Sequence, residues 1–222
     1  MIVAERKPFE EILELTRGYS RLLLVGCGEC VTVCCAGGER EVAALAAGLK
    51  TRARLENRTL TIIEHTVKRQ CDREFLEPLD ELVEDIDMVL SLACGAGVQL
   101  LAEQFFPLPV KPALNTQFMG ITVEPGQWSE RCAGCGDCRL HLFAGICPIT
   151  RCSKGLLNGP CGGSMDGHCE VDPDIQCAWQ LIHDRLAAAG LLESCIEITP
   201  PNDWSTSRAG GPRRVIREDL QR

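Results

Sequence analysis

The chain has 222 residues, 15 of them cysteine against one Tyr, three Trp and six Phe, and a formal net charge of −8. With 45% apolar and 24% charged residues it is not a largely disordered chain, and its acidity argues against wrapping nucleic acid through a general basic surface. The first residues lack the basic-then-apolar layout of a signal peptide and no apolar run approaches the roughly 18 residues of a membrane span, so a soluble, cytoplasmic protein is expected.

Pro8 to Arg17 places Phe9, Ile12, Leu13 and Leu15 at near-helical spacing ahead of Gly18, which predicts an amphipathic helix. Arg21 to Gly26 reads as a short buried strand, followed by a helical stretch broken at Gly37-Gly38 and resumed from Glu39 to about Leu55. The pattern recurs with a strand over 59–67 and a helix over 72–84, then a strand over 87–93, a helix over 97–106 and a short fourth strand over 110–114. Strands alternating with helices predict an α/β fold over residues 1–119, an N-terminal parallel sheet with flanking helices of the flavodoxin or Rossmann kind.

From about Gly120 the composition turns to Gly, Cys and short polar stretches without a strand or helix of convincing length. Residues 120–199 therefore read as an irregular cysteine-rich iron-sulfur domain in which metal replaces a core, closed by a C-terminal helix from about Asp174 to Ala189 that Asp caps and Gly190 stops. Residues 200–222, rich in Pro, Gly and Arg, read as a flexible tail, with a docking arm for a partner as the alternative.

In a reducing compartment an odd number of cysteines is poorly explained by disulfides, whereas soft thiolates suit zinc or iron-sulfur clusters. Cys27 and Cys30 lie where the first strand of the β-α pattern ends, Cys71 follows the second strand and Cys94 ends the third. Ligands of open parallel sheets sit beyond the carboxyl ends of the strands, so these four thiols are candidates for one cluster, with Cys34 competing for a place. Cys35 and Cys195 read as small packing residues.

The second set is Cys132-Ala-Gly-Cys135-Gly-Asp-Cys138, then Cys147-Pro148, Cys152, Cys161, Cys169 and Cys177, eight thiolates that make two fours. The Cys-x2-Cys-x2-Cys triplet and later Cys-Pro resemble bacterial ferredoxin runs, although eight residues rather than three separate Cys138 from Cys147. Cys132, Cys135 and Cys138 should share a cluster, and the choice of its fourth ligand is open. Zinc at one or more sites is the alternative, since Cys-x2-Cys pairs also build zinc ribbons. Glycines beside the thiolates let backbone N–H groups approach sulfide, as tuning of a cluster requires.

Other chemistry is poorly supported. Gly26-Cys-Gly28 lacks the third glycine of a dinucleotide fingerprint, no phosphate-loop motif occurs, and the four histidines are scattered. No nucleophile with a base, paired carboxylates or flavin motif is present, so a cysteine-nucleophile enzyme is disfavoured and a non-catalytic electron-transfer subunit is expected.

Three strings carry a family resemblance: Gly-Cys-Gly-x-Cys-Val-Thr-Val-Cys-x-Ala-Gly-Gly-Glu from Gly26, Arg69-Gln-Cys-Asp72, and Arg151-Cys-Ser-Lys-Gly-Leu-Leu-Asn-Gly-Pro-Cys-Gly-Gly163. Over about residues 1–205 the chain resembles the iron-sulfur small subunit of bacterial methylenetetrahydrofolate reductase, the MetV type of acetogens. The resemblance extends to the family named for that reductase's C-terminal domain. The cysteine groups are read as three [4Fe-4S] clusters, one at the strand ends and two in the cysteine-rich domain, and the resemblance implies a heteromeric complex with a flavin-bearing catalytic subunit, holding FAD or FMN, that reduces methylenetetrahydrofolate in the methyl branch of acetyl-CoA synthesis. Electrons would enter from ferredoxin, a hydrogenase or a nicotinamide-oxidising subunit. The residues alone would equally suit an electron-transfer adaptor of another flavoenzyme, and a zinc-stabilised adaptor without redox role is the rival.

Overall fold

The computed structural model describes residues 1–220, so Gln221 and Arg222, the end of the segment read as a tail, lie outside the described residues. The chain opens with strand β1 (Ile2–Arg6), helix α1 (Phe9–Leu15) and strand β2 (Arg21–Cys27), then the short α2 (Cys30–Val33) and the long α3 (Glu39–Leu55). Strand β3 (Thr61–Val67), β4 (Met88–Leu92), helix α4 (Gly95–Gln104) and β5 (Val110–Pro112) complete a four-stranded parallel sheet in the order β3-β2-β4-β5.

Parallel strands are covered on both faces, and β2 shows why its sequence is an unbroken apolar run. Leu22 and Leu24 enter one core with Ile12 of α1 and Leu45 and Leu49 of α3, while Leu23 and Val25 enter another with Leu76, Leu79 and Leu101 of α4. The chain runs outward from β2 to β3 and then returns across β2 to β4, so the sheet reverses its direction of growth between β2 and β4. Such a switch point opens a crevice at the carboxyl ends of the strands. Those ends are level: Cys27 pairs with Val67, and Gly26 with Leu92.

The helix expected over 72–84 does not form. Two 3-10 turns, Arg73–Phe75 and Glu77–Leu79, take its place. Pro78 stands at the start of the second turn and has no N–H to give a continuing helix. Leu76 and Leu79 nonetheless bury fully.

Strand β6 (Leu114–Glu124) pairs antiparallel with β1 from Ile2↔Met119 to Arg6↔Leu114, with a register shift between Val3 and Ala4. Strand β7 (Gln127–Cys132) completes this three-stranded sheet, of order β1-β6-β7. The Gly120 region, read from composition as irregular, is thus a hairpin turning at Gly126, whose φ of 86° suits glycine. Most of β6 is exposed, including Ile121 and Val123, so little hydrophobic alternation marks it in sequence.

The chain divides into two compact units, Met1–Trp128 and Ser129 onward, a boundary later than Gly120 because β6 belongs with β1. The second unit holds α5 (Pro148–Arg151), α6 (Ala178–Ala188) and a small core of Phe143, Ile146, Trp179, Ile182 and Leu186. Helix α6 starts at Ala178 with Cys177 at its N-cap, not at Asp174. The Asp174 N–H is instead bonded to the Asp172 carboxylate, and the Ile175 carbonyl accepts from Cys169 N–H, which commits that stretch to a turn. Among the described residues no helix is long and apolar enough to cross a membrane.

Candidate metal centres

The N-terminal site is built from three strand ends. Cys27 is the last residue of β2, and its N–H donates to the Gly37 carbonyl at 2.9 Å. Gly37 is forced by packing, since a Cβ there would overlap the Leu92 carbonyl at the end of β4. Cys30 opens α2, Cys71 follows β3, and Cys94 is the N-cap of α4, at the positive end of the helix dipole, which favours negative charge.

Burial pushes the Cys27 thiol up; the Gln70 and Glu29 backbone amides oppose this, and Cys71 and Cys94 add to it. Burial likewise raises Cys71, with Cys94 and Cys30 adding to it and the Arg69 charge opposing it. Cys94 thus lies within electrostatic reach of both the Cys27 and the Cys71 thiols. The Arg69 guanidinium lies 5.0 Å from the centre of the Phe75 ring and is paired with Asp72 at 3.1 Å.

Cys34 is turned elsewhere. Its buried thiol donates to the carbonyls of Ala4 and Val31 at 3.5 and 3.6 Å, in the core shared with β1. It is the packing cysteine of this region, whereas Cys35 and Cys195, expected in that role, are both exposed.

In the second unit the eight thiols separate into two groups of four. Cys132, Cys135, Cys138 and Cys147 line one cavity of about 220 Å³, together with Gly134, Gly136, Leu140 and Phe143. Cys152, Cys161, Cys169 and Cys177 line another of about 20 Å³, together with Ser153 and Trp179. Cys147 and Cys152 cap the two ends of α5, so a helix of a little over one turn, about 7.5 Å from cap to cap at 1.5 Å per residue, joins the groups. Phe143 and Trp179, one in each wall, meet edge to face with ring centres 5.7 Å apart.

Local hydrogen bonds shape both groups. Gly134 N–H donates to the Cys132 sulfur at 3.4 Å, the kind of backbone contact that stabilises a thiolate. The Thr206 hydroxyl donates to the Cys135 carbonyl at 2.9 Å, and Arg213 donates to the Gly134 and Thr206 carbonyls at 2.7 and 2.8 Å. Arg139 donates to the Pro200 carbonyl at 2.7 Å. Residues 200–213, read from composition as part of a tail, are thus bonded to the cysteine loop. In the other group the Ser153 hydroxyl and the backbone amides of Val171 and Asp172 hold the Cys169 thiol below its usual value. Cys177 N–H donates to Gly167 at 2.7 Å, closing a narrow loop.

Among the described residues no group of three or more His, Cys, Asp and Glu side chains stands arranged to hold a metal ion. The donor chemistry nevertheless fits soft-metal binding. The carboxylates nearest the thiols are occupied, Asp137 by Arg139 and Glu170 by Lys154.

Sequence reading overlooked Gln70, Ser153, Thr206 and Arg213. Gln70 and Ser153 stood inside noted strings, but nothing in the first of these signals that the Gln70 side chain is buried. No curated protein and no solved structure matched the chain. A family model did: residues 111–205 are similar to the family described as methylene-tetrahydrofolate reductase C terminal, which relates this part of the chain to methylenetetrahydrofolate reductases.

Proposed function

We propose that this chain is the electron-transfer subunit of a methylenetetrahydrofolate reductase complex, passing electrons through [4Fe-4S] clusters to a flavin held by a catalytic partner. The observation that carries the reading is the division of the eight second-unit thiols into two sets of four around two cavities, inside a segment similar to the reductase family. A third set of four stands at the strand ends of the first unit.

Cys27, Cys30, Cys71 and Cys94 would hold one cluster, and Cys132, Cys135, Cys138 and Cys147 a second. Cys152, Cys161, Cys169 and Cys177 would hold the third. A bound cluster supplies one-electron transfer at a potential set by its surroundings. The chain supplies those surroundings: Gly134 donates to a sulfur, the helix N-terminus at Cys94 favours negative charge, and the apolar rings of Phe143 and Trp179, one in the wall of each second-unit cavity, pack edge to face. The reading assigns the reducing step on folate to the partner, and the electron donor would be ferredoxin, a hydrogenase or a nicotinamide-oxidising subunit.

The test is anaerobic iron, zinc and sulfide analysis with EPR of the reduced chain, and folate reduction with and without a co-purified flavoprotein. Three clusters predict about twelve irons per chain, with Cys135→Ser and Cys152→Ser each abolishing a different signal. One signal lost to both variants would overturn the partition. The 20 Å³ cavity favours a second reading for the Cys152 set, a structural zinc, which predicts about eight irons and one zinc.

A further inference from the structure

The N-terminal site is tied together by a residue that offers no sulfur. Gln70, just before Cys71, has no exposed surface, and neither has Ser91 of β4. The Gln70 amide donates through Nε2 to the Val25 carbonyl of β2 at 2.7 Å and accepts through Oε1 from the Ser91 hydroxyl at 2.6 Å. Val25 precedes Cys27 in β2, and Ser91 precedes Cys94 at the end of β4. A Cβ on Gly97, in the first turn of α4, would come within 2.8 Å of the Gln70 Cβ, so the start of that helix closes the third side.

One side chain therefore touches the three backbone segments that carry Cys27, Cys71 and Cys94. The sheet has no need of it: β2 and β4 already pair along their lengths, from Leu22↔Met88 to Gly26↔Leu92. What the amide restrains is the loop it belongs to. It must present a donor to one strand and an acceptor to the other, which neither a leucine nor an ionised glutamate does.

We propose that Gln70 is the positioning residue of the N-terminal site, its amide locking the Cys71 loop to the ends of β2 and β4 and so fixing the separation of Cys27, Cys71 and Cys94. The proposal deepens, and for its EPR test rests on, the reading of this set as a cluster site.

The full chain is prepared anaerobically as Ser91→Ala, Ser91→Thr and Gln70→Glu, with Cys71→Ser used to assign the N-terminal EPR signal. Ser91→Ala, which strips the donor from Oε1 without adding bulk, should change the shape and midpoint potential of that signal, and Ser91→Thr should restore both. Gln70→Glu, which sets an acceptor against the Val25 carbonyl, should lower the potential or lose that cluster's iron, with the second-unit signals unmoved. Full iron and an unmoved N-terminal signal in both Ser91→Ala and Gln70→Glu would overturn the proposal. So would loss of every signal together with the far-ultraviolet dichroism in Ser91→Ala, which would assign Gln70 to the fold at large. In the metal-free chain Ser91→Ala should speed alkylation of Cys27 severalfold while Cys34, buried against β1, keeps its rate. Equal rates overturn the proposal whether or not a cluster binds, whereas a wild-type chain with no Cys71-dependent signal overturns only the cluster reading.

Discussion

In the first unit the candidate ligands sit at the ends of strands whose positions a double-sided hydrophobic core decides, whereas in the second they are spaced along loops around a small core of Phe143, Ile146, Trp179, Ile182 and Leu186. The first site can be assembled by folding alone, because burying Leu22 to Val25 on both faces of β2 brings three strand ends level. The second has few apolar residues to bury, and its loops are set by hydrogen bonds such as Thr206 to Cys135 and by whatever the thiols bind. On the proposed reading, the contrast is between a scaffold that would present a metal site and a metal site that would complete its scaffold.

Metal removal should break that symmetry most strongly. Structural metal sites contribute on the order of 10–16 kcal/mol to folding in small zinc peptides. Stripping metal from the full chain should abolish amide hydrogen-exchange protection in α6 and the cysteine loops while β2, β3 and β4 stay protected. Equal loss in both units would remove the distinction.

Core truncations come next. Leu24→Ala should cost the first unit roughly 2–5 kcal/mol in urea unfolding with second-unit metal retained. Trp179→Ala should cost roughly 3–5 kcal/mol and release metal from both second-unit sets, because the ring lines one cavity, packs on Phe143 in the wall of the other and donates to the Leu156 carbonyl. Metal analysis of the folded variants checks both.

Thr206→Val removes the hydroxyl bonded to Cys135 and should cost about 1 kcal/mol, with faster proteolysis within 200–213. Unchanged proteolysis would detach that segment from the cysteine loop. The smallest effect concerns pH. The Ser20 and Arg21 backbone N–H groups, with the Arg21 side chain, hold the Asp87 carboxyl below its ordinary value. Its contribution is therefore complete above the unfolded pKa of about 4 and fades as pH falls through the lower folded value. Asp87→Asn should lower the melting temperature at pH 7, and the difference from the parent chain should shrink as the pH is lowered below about 4.

Much of the first unit was legible from residues because its physics is local. The apolar run at Arg21–Cys27, the Gly37-Gly38 break and the alternation of strand and helix follow from burial on both faces and from glycine's permissiveness. Pro78 shows the limit: apolar spacing over 72–84 mimics a helix, and one missing N–H converts it to two tight turns with the same leucines buried. Strand β6 went unread because nearly all of it is exposed, and its pairing with β7 and with β1, the latter remote in sequence, makes it a strand.

The sequence by itself determined that cysteines gather where strands end and again in a glycine-rich stretch, since residue type and spacing are written along the chain. The tertiary structure alone decided that Cys34 turns to Ala4, that Cys147 stands with the triplet while Cys152 joins Cys161, Cys169 and Cys177, and that Gln70 is enclosed between Val25 and Ser91. The reason is geometric. Which thiols share a cavity depends on how loops close across long sequence separations, and the capping of both ends of α5 by cysteines sends neighbours in the chain to opposite groups.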